Sequence, residues 1–592
     1  VDTPPALLNP ILRFIRDYPS RYWPWYLAGA TFLWATNWLA VQIPLELAVA
    51  VDALRADPAE AAAVLLDAAR IIAVMGAAVI AVRTLSRVLF FTPGRLVEYQ
   101  LKNDLFAHMM ALPAAFYGRW TTGDLVSRAS NDITYLRVLS GFGALQVVNI
   151  TVALLLAGDA MLGLSPRLTG VVAVPVVLCL GLVQLGIRKL FDLTRLQQEQ
   201  LADISDHVLA SLQGIRTIQG FNAEGAFSGR LDTRNQAWLR THIQLARIRA
   251  FVLPLLMLGG GLAVWGLLSI GGPMAARGEL SVGELVAFTT YVAYLLPPLR
   301  SLGWLLSVLQ RGLTSLERLD EVLAQPRDTA GDVRTAPGAA PAFELRGLDF
   351  SYPDADSPTL TGLSATVAAG STVGVFGRTG SGKSTLLQVL TREWNPPRGT
   401  VFVDGQDVLE LDLDSWRRRL AVAPQVPFLF SETVADNISM GVPDPPGVRD
   451  VLDRAALTSD LATLPNGVGT LVGERGVMLS GGQRQRVALA RALYRDFDVL
   501  VLDDVLSAVD HGTEQRLIQA LAAVGQGRHR PTVWLVSNRT SALVHADNIL
   551  VLEDGRLRDQ GTHSELIARP GPYRDAWRHQ SVERPEPEGV SS

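Results

Sequence analysis

Hydrophobic positions along the chain follow two regimes. Up to about residue 310 they gather in long stretches with few charges; from about residue 343 they fall into short strands and amphipathic helices. Six stretches, near 22–50, 62–91, 139–165, 168–188, 248–273 and 282–310, are long and apolar enough to cross a bilayer, which takes ~20 residues per helix. The first two are separated by the turn Asp52-Ala53-Leu54-Arg55-Ala56-Asp57-Pro58, and the third and fourth only by Ser165-Pro166. Two longer polar stretches, 92–138 and 189–247, still keep a helical apolar period over Arg95 to Met110 and Phe191 to Leu212. The membrane helices are therefore expected to run on into the aqueous phase. Each polar stretch contains a break, at Tyr117 to Leu125 and at Gly220 to Glu224.

Charge orients this half. Arg13, Arg16 and Arg21 flank the first span, and Arg95, Arg119, Arg128, Arg188, Arg247 and Arg311 lie in the long loops and after the sixth span, while the short first loop is net acidic. By the positive-inside rule the termini and both long loops face the cytoplasm. The first apolar segment is too long for a signal-peptide core, so no cleaved leader is expected. A net charge of −4 argues against a nucleic-acid partner, which needs a concentrated basic surface. Cys179 is the only cysteine, so neither an internal disulfide nor a cysteine metal cluster can form. Gln325 to Pro341 has the Ala, Gly, Pro and Asp content of a linker, and Ser581 to Ser592 that of a disordered tail.

The second half carries the chemistry. An apolar strand ends at Gly374-Val375-Phe376; Gly377-Arg378-Thr379-Gly380-Ser381-Gly382-Lys383-Ser384 follows, and Thr385-Leu386-Leu387 opens a helix. This is a phosphate loop in its required strand–loop–helix context. Its glycines let backbone N–H groups converge on phosphate oxygens at a helix N-terminus. Lys383 brings a charge to the β and γ phosphates, and the Ser384 hydroxyl can hold Mg²⁺. Further on, the apolar strand Val499 to Asp503 ends in a carboxylate, where P-loop ATPases hold Mg²⁺ directly or through water.

Between these lies Leu479-Ser480-Gly481-Gly482-Gln483-Arg484-Gln485-Arg486. It resembles the signature motif of ABC transporter ATPases, and the other family positions follow in order. Tyr352, in Phe350-Ser351-Tyr352, resembles the aromatic that stacks on adenine. Gln425, after Ala423-Pro424, resembles the residue that senses Mg²⁺ and nucleotide. Gly473-Glu474-Arg475-Gly476 resembles the exporter-specific loop that importers usually lack, and Ser507-Ala508-Val509-Asp510 the D-loop. The two polar breaks resemble coupling helices. The resemblance spans the whole chain. It implies a six-helix, all-α transmembrane domain over 1–323, a linker over 324–342, an α/β P-loop ATPase domain with a helical subdomain over 343–580, and the tail over 581–592. It also implies ATP and Mg²⁺ as cofactors, and Ser480, Gly481, Gly482 and Gln483 acting on nucleotide held by an opposing subunit. Location in a bacterial inner membrane with the ATPase domain in the cytoplasm follows from the same likeness.

Two positions depart from the family. Asp504 stands where the water-polarising Glu is usual, and Asn538, in Val536-Ser537-Asn538-Arg539-Thr540, where the switch His is usual. A carboxylate displaced by about 1 Å can cost on the order of 100-fold in rate, and Asn cannot carry an imidazole's charge or proton. Two such changes in one site would cripple both sites of a homodimer. The expectation is a heterodimeric exporter: this chain binds ATP at a degenerate site and lends its intact signature to a partner that carries the Glu and the His. The alternatives are a slow homodimeric exporter and a non-hydrolysing regulatory or receptor-like subunit. The cargo is not legible, although Arg83, Arg87, Asp159 and Arg300 fall in or near spans, where charges mark cavities or pairs.

Overall fold

The computed structural model describes residues 5–54, 58–328, 331–353, 355, 357–441, 445–462, 464–473, 476, 478–505, 512, 515–519 and 530–582. Its contacts define two compact units: Val1–Met109 with Gly123–Ala324, and Met110–Thr122 with Gln325–Ser592.

The first unit is helical. A short helix, Pro5–Asp17, precedes the long helices Trp23–Ala53 and Pro58–Met110. A third run from Thr122 to Leu164 includes π-turns at Arg128–Asp132 and Leu139–Gly143. Pro166–Gln213, Glu224–Ala276 and Val282–Leu323 complete the set. Among the described residues five helices are long and apolar enough to cross a membrane, and Pro166–Gln213 opens with the shorter apolar stretch Pro166–Cys179. The helix Pro58–Met110 has 53 residues; at 1.5 Å each that is roughly 80 Å, against a hydrocarbon core of ~30 Å. The expected extension beyond the bilayer therefore has the length it needs.

Local chemistry sets the helix starts. Ser165 caps the helix Pro166–Gln213, accepting from the Leu168 N–H, with Pro166 in the first turn. Ser281 and Glu284 form a capping box on the last helix. Gly283, inside that box, donates its N–H to the Asp52 carboxylate at 2.7 Å. A Cβ at Gly283 would collide with the Ala48 carbonyl, so this crossing of the first and last membrane helices requires glycine. Val41, Leu168, Leu267, Phe288 and Tyr291 form the core there.

Both polar breaks exist, with one shift in register. The short helix Ala114–Arg119 occupies the first, but Thr122 already starts the next helix, so Asp124 and Leu125 stand in a helical first turn rather than in the break. Asp124 accepts from Arg128 Nε at 3.0 Å and from Arg318 at 2.6 Å, and an acidic first turn suits the helix dipole. At the second break the helix Ile215–Gly220 ends, Asn222 adopts φ +50°, and Glu224 restarts the chain.

The second unit holds two sheets. Four strands, β1 (Phe343–Phe350), β2 (Leu360–Val367), β4 (Val401–Val403) and β5 (Gln406–Asp407), pair antiparallel in the order β2-β1-β4-β5. Six others, β3 (Thr372–Gly377), β6 (Leu420–Ala423), β7 (Val499–Asp503), β8 (Thr532–Val536), β9 (Asn548–Glu553) and β10 (Arg556–Gly561), take the order β10-β9-β3-β8-β7-β6, parallel from β9 to β6. β8 is buried throughout, as a central parallel strand covered on both faces should be. The segment before β1 is pinned to this unit: Asp328 donates its N–H to Ala111, Gly331 to Leu411, and Gly338 to the Asp498 carboxylate. The terminal helix Pro572–Val582 takes in the first two residues assigned by sequence to a tail, and residues 583–592 lie outside the described residues.

Candidate functional site

The carboxyl edge of the parallel sheet assembles the site. β3 leads into the phosphate loop, β8 into Ser537 and Asn538, β7 into Asp504, and β6 into Pro424 and Gln425. Sequence positions up to about 160 apart thus share one edge, the usual ligand edge of such sheets.

Gly380 and Gly382 sit at φ +86° and +92°, and this turns the loop's amides inward. A Cβ at Gly377 would collide with Ser381 Oγ, which is itself buried without a hydrogen-bond partner. Lys383 Nζ donates to the carbonyls of Gly377 at 2.7 Å and Arg378 at 2.9 Å, bridging the loop. Ser384 hydrogen-bonds Asp503. Burial pushes the Asp503 carboxyl above its ordinary range, against the pull of Ser384 and Lys383; burial pushes Lys383 below its own, against Asp504 and Asp503. A buried orphan hydroxyl, a loop open to amide donors and a desolvated Lys–Ser–Asp set fit a polyphosphate with a divalent cation. Arg378, Thr379 and Gly380 are exposed, while Thr385 is buried in the helix Lys383–Leu390.

Tyr352 lies beside this loop. Its hydroxyl is 3.0 Å from Thr385 Oγ1 and donates to Gln388 Oε1 at 2.8 Å, and its ring meets Trp394 edge-on at 5.0 Å. Phenol and phosphate loop are therefore one assembly. Gln388 and Trp394 escaped the sequence reading, because their part depends on the Tyr352 contact and not on a motif.

The two departures are neighbours. Asp503 pairs with Val536 across β7 and β8, and the Asp504 N–H donates to the Val536 carbonyl at 3.1 Å. Asn538 follows two residues on, exposed, its carbonyl accepting from Gln580 at 3.0 Å. Asp504 adopts φ +49°, a left-handed conformation that Asp tolerates better than most residues. Gln425 is exposed just beyond β6.

Ser480 caps the helix Gly481–Tyr494 through a capping box with Gln483: the Gln483 N–H donates to Ser480 Oγ at 3.2 Å, and the Ser480 N–H to Gln483 Oε1 at 2.9 Å. Ser480 and Gly481 are exposed and Gly482 half-buried. The motif thus presents a helix N-terminus outward, a ready anion site. Ser480 and Asp504 are tied through Gln485, a buried side chain of this helix whose Nε2 donates to the Asp504 carbonyl at 3.1 Å. Sequence reasoning missed that link, since its acceptor is a backbone atom. Glu474 and Arg475 of the exporter-like loop and the D-loop stretch Ser507 to Asp510 lie outside the described residues.

The fold has known relatives. The ABC transporter transmembrane region family matches residues 27–299, and the ABC transporter ATPase family residues 360–507. The multidrug resistance-like ATP-binding protein MdlA of Escherichia coli is 32% identical over 96% of each chain. An ATP-dependent lipid A-core flippase of Chromohalobacter salexigens is 33% identical over 81% of this chain and 83% of its own. A bacterial Atm1-family ABC exporter solved with ATP bound superposes with a TM-score of 0.81 at 27% identity, over 95% of this chain and 99% of that one. The chain belongs to the ABC transporter family: it is an integral membrane exporter half, a helical transmembrane domain fused to an ABC ATPase domain.

Proposed function

We propose that this chain is the degenerate-site half of a heterodimeric ATP-driven exporter that moves its cargo out of the cytoplasm or inner leaflet by alternating access. The reading is carried by one juxtaposition: Asp504 and Asn538 flank the same strand end at Val536, in one nucleotide site, while Ser480 keeps an intact cap on its own helix. Loss and retention divide by site. The phosphate loop and Asp503 would serve this chain's own nucleotide, and the signature would serve the partner's.

Within that reading Gly377 to Thr385 hold the phosphates. Lys383 gives up its loop carbonyls to them, and Tyr352 supports the adenine. ATP with Mg²⁺ supplies the phosphoanhydride and the neutralising charge. Ser384, Asp503 and Gln425 would hold the cation. Asp504 would orient a water poorly, being short, and Asn538 would offer the γ-phosphate a neutral hydrogen bond in place of an imidazole. The partner would be a second, different half-transporter with the usual Glu and His.

Purifying the chain alone and together with its partner tests this. The pair should hydrolyse ATP, and the chain alone should run at least about 100-fold slower. Robust ATPase and transport by the chain alone would overturn the heterodimer reading.

A further inference from the structure

We propose that the cavity among the first, second, third and sixth membrane helices binds the acidic head of an anionic amphiphile, with Arg83 and Arg87 as its counter-charges. Amphiphiles of this class would be the exporter's cargo, a step that rests on the exporter reading above.

The cavity measures about 420 Å³, within the range of small-molecule sites. Arg83 and Arg87 line it from one helix. Four residues apart, they share a helix face, where like charges repel. Neither has an ion pair or a hydrogen bond from its guanidinium to a described residue, and no Asp or Glu lines the cavity. Three arginines of the same unit do have carboxylate partners: Arg128 has Asp124, Arg137 has Glu98, and Arg318 has Asp132.

The opposite polar wall is already satisfied. Asn37 is buried and donates to the Leu33 carbonyl at 2.8 Å and to Asn149 Oδ1 at 3.2 Å, and the Tyr294 hydroxyl donates to Asn37 Oδ1. The two arginines are thus the only charged groups in the lining, and Gln146 adds a neutral amide that can hydrogen-bond a head group. Charged groups at membrane depth are costly unless paired, and they mark substrate routes. An apolar surface lies beside them: Leu33, Phe142, Leu145, Pro297 and Pro298 line the cavity, and Phe142 packs edge-on against Trp304 at 4.7 Å. A fixed double positive charge beside an apolar wall selects a negative head on an apolar body, and disfavours cationic amphiphiles of the same length.

The probes are dodecyl phosphate, laurate and dodecyltrimethylammonium, with inorganic phosphate as the headless control. The full-length chain in its assembly is placed in phosphatidylcholine nanodiscs, and bound probe is counted by native mass spectrometry. Dodecyl phosphate should bind at least about tenfold more tightly than the ammonium probe, and laurate should follow the phosphate. Inorganic phosphate should not compete at comparable concentration. Arg83→Gln with Arg87→Gln should erase the preference, each single variant should lose part of it, and Arg83→Lys with Arg87→Lys should keep it. The single variants carry the test if the double Gln variant does not assemble. An absent charge preference, a preference untouched by Arg→Gln, or equal affinity for inorganic phosphate each overturns the site. ATP-driven movement of labelled dodecyl phosphate into inverted vesicles is scored separately. Charge-selective binding without such movement keeps the site and sinks its role in transport.

Discussion

Asp504 keeps a carboxylate at the end of β7 but carries it one methylene short of a Glu, on a backbone at φ +49° fixed by the Val536 carbonyl and by Gln485. The backbone cannot simply advance to restore the reach. Restoring Asp504→Glu and Asn538→His together, with the partner's catalytic Glu changed to Gln, should raise turnover at this site by roughly 100-fold. Either change alone should give much less, because both groups act on one water and one phosphate. A double repair as inactive as its background would place the defect in the partner's signature loop. Asp503 yields a different prediction. Its folded-state carboxyl is shifted up by burial, so at neutral pH the folded chain carries a desolvated charge that the unfolded chain carries in water. Asp503→Asn should therefore raise the melting temperature of the nucleotide-free protein, and that gain should shrink as pH falls through the raised folded value. The same variant should lose Mg²⁺-dependent stabilisation by ATP. A gain that grows on acidification would reverse the sign and refute the assignment of burial as the dominant cause.

Whole elements explain what could be read in advance. The strand–loop–helix around Lys383 and the strand ending at Asp503 were legible because apolar runs and glycines report backbone geometry directly. Membrane spans were legible for the same reason, as length and apolarity are local properties. The placement of Asp124 in a helical turn was not, because it depends on Arg128 and on Arg318, 194 positions away. Nor were the π-turns at Arg128–Asp132 and Leu139–Gly143, which no periodicity marks. The Asp124 cluster is testable. Arg128 is nearly buried and bonds Asp124 at 3.0 Å and Glu321 at 2.9 Å. Arg128→Ala should cost only about 1 kcal/mol, read by denaturation, since Asp124 keeps Arg318 and Glu321 is solvated; a loss of about 3 kcal/mol or more would mean that the cluster acts as a buried pair. In the helix Gly481–Tyr494, Ser480→Ala removes the capping hydroxyl from an outward-facing end. In the assembled pair it should reduce turnover severely, while Asp504→Ala costs little. The reverse ranking would show that the working site is built on this chain's own phosphate loop and Asp503.

For the molecule as a whole, the proposed pairing of one degenerate and one working site predicts unequal residence of nucleotide. On the proposed reading the phosphate loop, Tyr352 and the Ser384–Asp503 pair bind ATP, whereas Asp504 and Asn538 would hydrolyse it slowly. A ligand bound at a site that rarely hydrolyses leaves only by dissociation, so its lifetime outlasts many cycles at the other site. During turnover the pair should therefore hold about one unhydrolysed ATP on this chain while the partner's nucleotide alternates between ATP and ADP. Photo-crosslinking with a labelled azido-ATP, quenched during steady state, separates the two chains and reads the state of each. Label on this chain should be recovered chiefly as triphosphate, and Lys383→Ala should abolish it. If this chain instead yields ADP as fast as its partner does, Asp504 is a working base despite its length. The distinction between the two sites then disappears, and with it the need for a different partner.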